Sequence, residues 1–534
     1  MVNIHNSHNS ILKYFMNFNE LSPEQKYAFH KFVAGENIFI TGPGGTGKSR
    51  LIKHFVQYSN NIDKQIDVCA MTGCAAILLQ CNAKTIHSWS GIKLAKGDKK
   101  TIINRVLNNK TVLKTWRKAK VLVLDEVSML SKKVFEIINE IGKSARHDIR
   151  PFGGIQIVFA GDFFQLPPIG TDGEPDTEMF CFESPIWNIV FKPENIIELT
   201  TMFRQRDPLY VEILSQIRRG YLDEEHKKVL QNYVGRKFDP ASNNGCYVTK
   251  LFAIRSKTDY VNNTMFSQLD DKEYVYEVIK KKDCLTYLDS SKPIDASVLR
   301  NCSLVSEKDI EYEIDTMLGG LPCSQILRLK KGTAVMCTVN LDIDREICNG
   351  SQGVVIDIIE PKVAGAGGVA GGGSGPPLPV VRFSNGVVMT MHPHYWQSEN
   401  IPTVCIGQLP LSLAWAMTIH KMQGTTLSMA EIDIGMSIFE YGQTYVALSR
   451  VQSLDGLYLS AFHAQKIKAN PKVVEFYNNI VPKDLTKVVN DVSVGGNTGT
   501  GEVDFSDFAY NAKGGGVGGG GGGGHDIKVI KLQE

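Results

Sequence analysis

Residues Asn37 to Tyr58 read NIFITGPGGTGKSRLIKHFVQY. The short apolar run Ile38 to Thr41 has the pattern of a buried strand, and an amphipathic helix is predicted from Lys48 onward. Between them Gly42, Pro43, Gly44, Gly45, Thr46, Gly47, Lys48 and Ser49 spell GxxxxGKS. Glycines at those spacings let the backbone curl around an anion. The helix start then points unpaired N–H groups, and the positive end of its dipole, at that anion. Lys48 is placed to reach the β- and γ-phosphates of ATP, and Ser49 to bind Mg²⁺. Strand, glycine loop and helix in this order predict an α/β fold.

A phosphate loop needs a second carboxylate for its metal, at the end of a neighbouring strand. KVLVLDEVSML provides it: Val121 to Leu124, then Asp125 and Glu126. Unbroken apolar runs are how parallel strands buried on both faces read. Asp125 is predicted to hold the Mg²⁺ shell and Glu126 to orient or deprotonate the attacking water. The paired acids favour hydrolysis over simple kinase transfer. A third run, IQIVFAGDFFQLPPI, ends in Gly161 and Asp162 with Gln165 beyond. Open parallel sheets bind ligands at such strand ends, so this segment suits a sensor of the γ-phosphate. Upstream, LSPEQKYAF opens a helix with Ser22 as N-cap and Pro23 at the first helical position. Gln25 is placed on the adenine edge, because an amide donates and accepts at once; a surface glutamine is the alternative.

Composition sets the frame around this engine. A chain of 534 residues exceeds what one hydrophobic core supports, so two or more domains are expected. With 58 basic and 56 acidic residues the net charge is +2, so no global field draws the chain to a polyanion. Any nucleic-acid site must be a local groove. The 11 cysteines form no CxxC pair, and several fall inside or beside apolar runs, which reads as buried thiols in a reducing compartment. The first residues, MVNIHNSHNSILKYFMNF, resemble neither a secretion signal nor a transit peptide. No run reaches about 18 apolar residues, so no membrane span or membrane partner is expected. The reading is a soluble intracellular protein, with nucleus and host cytoplasm not separated.

Phosphate chemistry alone does not separate kinases, transporter motors, clamp loaders and helicases. The remaining motifs do. AMTGCAAILL (Ala70 to Leu79) and TIHSW (Thr85 to Trp89) follow the phosphate-loop helix, and IELTTMFRQRD follows the sensor. AWAMTIHKMQGTTL and GQTYVALSRVQSLDGLYL close the globular part. Together with LSPEQ, GPGGTGKS, LVLDEVSM and GDFFQLPP, in this order from about Leu21 to Leu459, the set resembles the petite-integration-frequency (Pif) family of DNA helicases. That family lies in superfamily 1 and is related to RecD-like helicases.

The resemblance implies two RecA-like P-loop domains with ATP in the cleft between them and single-stranded DNA across both. It implies arginine fingers at Arg204 of FRQ and Arg450 of LSR. A guanidinium, always charged and able to bridge phosphate oxygens, fits that role. Gln423 and Gly424 fall where the family couples ATP to DNA. Thr418, His420 and Lys421 fall where it approaches the strand, with Thr72 and His87 as counterparts in the first domain. Hydroxyls and backbone N–H groups that hold phosphate without reading bases suit a motor that accepts any sequence. Trp89 and Phe163 suit base stacking or core filling, core being the favoured reading. The implied substrates are single-stranded DNA and forked or tailed duplexes, unwound 5′ to 3′ by a monomer, in replication, repair, recombination or telomere maintenance. A RecD-like subunit of a recombination or nuclease complex, and a non-catalytic P-loop scaffold, stay open as alternatives.

The domain reading follows. Residues 1–20 form an extension, and 21–200 the first RecA-like domain with a small insertion near 85–115. The second domain takes 201–340 and 410–482. Between Lys330 and Leu409 short β-like runs appear, and NGSQGVV (Asn349 to Val355) resembles the family's small β-barrel insertion, assigned to 341–409. A glycine-rich stretch inside it, 364–377, departs from the family pattern and reads as a loop. Residues 483–534 read as a flexible glycine-rich tail, whose end HDIKVIKLQE is a docking peptide for an unknown partner or a frayed terminus.

Overall fold

In the computed structural model of the chain, residues 20–480 are described apart from 80, 239–246, 283–304, 320, 343–344, 360–375, 399–400 and 402. The N-terminal extension before Glu20, the glycine-rich loop up to residue 375 and the tail, whose end reads as a docking peptide or a frayed terminus, lie outside the described residues.

Six parallel strands make the first sheet: β1 (Ile38–Thr41), β2 (Ile66–Ala70), β3 (Lys84–Thr85), β4 (Val121–Asp125), β5 (Gln156–Ala160) and β6 (Ile196–Glu198), in the order β3-β2-β4-β5-β1-β6. Every residue of β1, β4 and β5 is buried, as strands covered on both faces must be. The register pairs Ile40 with Ala160 and Leu124 with Phe159, so the strand ends that continue into Gly42, Glu126 and Gly161 meet along one edge. The helix Lys132–Arg146, capped by Ser131, lays Val134, Phe135, Ile138 and Ile141 onto the sheet. Trp187 packs edge-on to Phe39 at 5.3 Å within the same core. The helices Lys99–Leu107 and Lys110–Lys118, expected as a small insertion, share this core through Ile102, Val106 and Trp116. Trp89 lies 4.6 Å from Trp116, and Phe163 is 1% exposed. Both are core residues, as favoured from the sequence.

The second parallel sheet starts at β7 (Thr249–Phe252). Among the described residues from Tyr274 to Leu413 the strand pairs are all antiparallel. A two-stranded pair joins β8 (Tyr274–Glu277) to β10 (Ile326–Leu329), and β9 (Ile279–Lys281) joins β15 (His394–Gln397) and β16 (Cys405–Gln408) in the order β15-β16-β9. The largest piece combines β11 (Ala334–Cys337), β12 (Gln352–Ile359), β13 (Leu378–Phe383), β14 (Val388–Thr390) and β17 (Leu411–Leu413) in the order β14-β13-β12-β11-β17. It closes on its own core of Val335, Val355, Val381, Phe383 and Leu411. No pairing among the described strands joins β14 to β17, so the described pairings do not close the expected barrel. The antiparallel excursion also begins well before residue 341. The chain returns through β18 (Ala416–Thr418), β19 (Ala430–Ile434) and β20 (Leu457–Phe462), which complete the parallel order β18-β7-β19-β20.

A separate core serves this second sheet, with Leu251, Ile432 and Leu457 meeting Tyr210, Ile213 and Ile217 of the helix Pro208–Arg218. The last described helix, Pro471–Asn478, was expected with this lobe. It crosses back instead: Val473 enters the first core, and Phe476 stacks on Phe182 at 4.4 Å. Cys69, Cys181, Cys323, Cys337 and Cys405 are buried, while Cys348 is exposed. No described helix is long and apolar enough to cross a membrane.

Candidate functional site

The loop after β1 is shaped by what crowds it. Gly42 has φ +133°, and a Cβ there would sit 2.3 Å from the Leu199 carbonyl oxygen, so only glycine fits. Gly45, at φ +98°, is pressed against Arg204, whose Cβ would lie 2.6 Å from an added one. Thr46 donates its hydroxyl to the Pro43 carbonyl at 2.9 Å. Gln25 is wholly buried, accepting from Ser22 N–H and donating to the Thr46 carbonyl, both at 3.1 Å. The amide expected on the adenine edge braces the loop, keeping one N–H and one lone pair for a further partner, and its burial excludes the surface alternative. Lys48 donates to the carbonyls of Gly42 and Pro43 at 2.6 and 2.9 Å. Burial pushes its ammonium pKa down, opposed by the charges of Asp162, Glu126 and Asp125.

At the end of β4, Asp125 accepts from the Ser49 hydroxyl at 3.2 Å and from Glu126 N–H at 2.9 Å. Burial, and next the charge of Glu126, push the Asp125 carboxyl up to about 7. A carboxylate held unfavourably charged beside a hydroxyl is a hard-oxygen pair suited to Mg²⁺, whose charge reverses the penalty. Glu126 sits in the left-handed region, φ 58° and ψ 41°, uncommon for a side chain of its size. That turn separates the two carboxylates, one beside Ser49 and the other toward the second lobe.

Two guanidinium groups face this edge. A methyl at Gly44 would lie 3.6 Å from both Arg204 Nη1 and Arg450 Nη2. Arg450 is 1% exposed and is held by the carbonyls of Val446, Met422 and Thr425 and by Ser449 Oγ. Arg204 donates to the Ser449 carbonyl at 3.3 Å. None of these bonds goes to a carboxylate. Burial pushes both guanidinium pKa values down, and the charge of Arg204 presses further on Arg450; two cations held in such a dry wall favour an anion between them.

Gln423 connects the lobes. Its Nε2 donates to Glu126 Oε2 at 3.0 Å and to Gln165 Oε1 at 3.4 Å. A Cβ on Gly424 would meet Leu78 at 3.4 Å and Glu126 Oε1 at 3.6 Å. One cleft is thus lined by Gly44, Gly45, Gly47, Lys48, Ser49, Asp125, Glu126, Gln165, Arg204, Gly424 and Arg450. Asp162, read with Gln165 as a sensor, is fully buried and does not line it.

Thr418, His420 and Lys421, assigned to the DNA strand, precede Gln423 in the same segment. Lys421 is exposed, its N–H donating to Thr418 Oγ1 at 3.4 Å, and its charge reaches Cys74 in the segment opened by Thr72. Thr72 accepts from Ala75 N–H at 3.2 Å and so caps the helix Gly73–Leu79. The His420 ring stacks on Phe439 at 6.4 Å, and Phe439 is 65% exposed. His87 lies on the helix Ile86–Ser90. Burial pushes both imidazoles below their ordinary pKa, so they act as neutral rings at pH 7.

Sequence reading missed Tyr445, whose hydroxyl oxygen accepts from Gly44 N–H at 2.9 Å and ties the second lobe to the phosphate loop. It also missed Arg218 and Tyr477, which meet at Asp162. All three lie far in sequence from what they touch.

Comparison with known proteins places these features in a family. The PIF1-like helicase family matches residues 20–228, and the 2B domain of DNA helicase Pif1 matches residues 316–358. The chain is 32% identical over 462 residues to the ATP-dependent DNA helicase PIF1 of Xenopus laevis, covering 86% of this chain and 64% of that protein. The ATP-dependent DNA helicase Pif1 of Bdellovibrio bacteriovorus is 31% identical, with 86% and 92% covered. The crystal structure of Pif1 helicase from Candida albicans superposes with a TM-score of 0.65 at 30% identity, over 86% of this chain and 99% of that one. The chain spans just under two thirds of the length of its vertebrate relative.

Proposed function

We propose that this chain, which belongs to the PIF1-like helicase family, is an ATP- and Mg²⁺-dependent DNA helicase that moves 5′ to 3′ along single-stranded DNA. The observation that carries this reading is Gln423. It hydrogen-bonds the candidate base Glu126 and the sensor Gln165, while Lys421, two residues earlier, is exposed beside the segment of Thr72. One short stretch therefore touches the candidate nucleotide chemistry and carries an exposed cation.

In this reading the RecA-like domains divide near Thr200, and the helix Pro471–Asn478 returns to the first. The phosphate-loop N–H groups and Lys48 bind the phosphates of ATP, and Gln25 supports the loop beneath them. Ser49 and Asp125 would hold Mg²⁺, which would supply charge neutralisation at the phosphate oxygens. Glu126 takes a proton from the attacking water, and Gln423 fixes its carboxylate. Arg204 and Arg450 stabilise the negative charge that redistributes as the terminal phosphoryl leaves. Thr72, His87, Thr418, His420 and Lys421 hold the strand, and closure and reopening of the cleft alternate the grips. The substrates are single-stranded DNA and forked or tailed duplexes, handled by a monomer in replication, repair, recombination or telomere upkeep.

The test is ATP hydrolysis by the purified chain with and without single-stranded DNA, followed by unwinding of duplexes bearing a 5′ tail, a 3′ tail or none. Stimulation by DNA and unwinding from the 5′ tail are expected. An ATPase indifferent to DNA sinks the helicase reading, and unwinding from the 3′ tail alone sinks the polarity.

A further inference from the structure

Asp162 ends the sensor strand with no exposed surface, and its partner comes from the other lobe. Arg218, the last residue of the helix Pro208–Arg218, donates from Nε to Asp162 Oδ2 and from Nη2 to Asp162 Oδ1, both at 3.0 Å. Its guanidinium lies 4.7 Å from the Phe164 ring and 5.2 Å from the Tyr477 ring, which stack on each other at 4.7 Å. Tyr477 in turn accepts from Phe163 N–H at 3.1 Å.

The same carboxylate shapes the turn that carries Gln165. Asp162 Oδ1 accepts from Phe164 N–H at 3.2 Å, and its carbonyl accepts from Gln165 N–H at 2.9 Å. The second lobe touches this turn again at Gly442, where an added Cβ would lie 2.3 Å from the Phe164 carbonyl oxygen and 2.7 Å from that of Gln165. The turn is therefore gripped by the first lobe through Tyr477 and by the second through Arg218 and Gly442.

We propose that Arg218 is a positioning residue for ATP hydrolysis, a strut that ties the sensor turn to the second lobe and so makes the place of Gln165 follow the closure of the cleft. It touches no nucleotide. The proposal rests on the ATPase reading above and adds to it a mechanical link that the cleft-lining residues do not contain. A bidentate guanidinium is the suitable group, because it fixes orientation as well as charge.

Asp162 also lies within electrostatic reach of Lys48, so loss of Arg218 leaves Lys48 to answer a bare buried carboxylate. This separates two effects in one experiment. Nucleotide affinity, the number of nucleotide sites and DNA-stimulated kcat per site are measured for the full chain and for Arg218→Leu, Arg218→Lys and Arg218→Leu with Asp162→Asn. Arg218→Leu is expected to weaken nucleotide binding and lower kcat by about tenfold or more. Adding Asp162→Asn restores affinity by freeing Lys48 but leaves kcat low, because the turn stays untied. Arg218→Lys, which keeps charge without the fork, falls between.

A kcat per site within twofold of wild type in Arg218→Leu overturns the proposal, as does recovery of kcat together with affinity in the double variant. If Arg218→Leu does not fold, Arg218→Lys decides: unchanged kcat per site overturns the strut. Absence of DNA-stimulated ATPase in the wild-type chain removes the underlying reading, and this inference with it.

Discussion

The two parallel sheets contribute to one cleft in different ways. Groups of the first lobe are bonded to one another: Lys48 to the carbonyls of Gly42 and Pro43, Ser49 to Asp125, Thr46 to Pro43. Groups of the second lobe arrive as single long side chains, Gln423 at 3.0 and 3.4 Å and Arg450 from its own tethers. The first lobe is a built cradle, and the second is a set of probes laid against it. Such a division lets one lobe hold nucleotide while the other registers its state.

The largest effects are expected from breaking the cradle. Glu126→Gln removes the candidate base and should lower ATP turnover by about 10²–10⁴-fold with nucleotide still bound. Lys48→Ala should lower it by about 10²–10³-fold through lost stabilisation of phosphate charge, with weaker nucleotide binding besides. Phosphate release and fluorescent-nucleotide titration separate them. If Glu126→Gln loses nucleotide affinity as Lys48→Ala does, Glu126 holds nucleotide rather than acting on the attacking water.

A smaller effect tests the probes. Gln423→Ala removes hydrogen bonds to a charged and a neutral partner, about 1.5–3 kcal/mol for the charged one in other proteins. The expected result is a loss of about tenfold in DNA-stimulated turnover with nucleotide affinity little changed. Equal loss of stimulated and unstimulated turnover would make Gln423 another part of the cradle.

The cradle was legible in the sequence because its chemistry is local. Gly42 to Ser49 lie on one strand, loop and helix, and Asp125 and Glu126 on one strand end, so spacing alone carries their geometry. The resemblance brought in Arg204, Arg450 and Gln423, and all three converge on the cradle: Arg204 and Arg450 on Gly44, Gln423 on Glu126. Gln25 was found but its partner was not, since nothing at Ser22 to Gln25 reveals that Thr46 stands against it. Arg218, Tyr445 and Tyr477 were invisible for the same reason. Each is ordinary in its own helix and acquires a role only where distant segments pack. The antiparallel excursion was placed late because β8 to β10 are short and half exposed, so their alternation is weak against the helix Glu307–Gly319 between them.

The smallest effect lies on the strand side of the second lobe and asks how far the division extends. Lys421 is exposed, with only its backbone N–H committed to Thr418, so its ammonium is available to a phosphate. A lysine that neutralises one phosphate of a single strand releases about 0.7 of a counterion. Lys421→Ala should therefore weaken single-stranded DNA binding by a few fold at low salt, alike for all sequences, and reduce the slope of log affinity against log salt by about 0.7. Fluorescence anisotropy across a salt series measures both. A weaker affinity with an unchanged slope would mean that Lys421 shapes the loop rather than meeting the backbone. The neutral, stacked ring of His420 would then be the nearer contact, and the second lobe would grip the strand by ring faces rather than by charge.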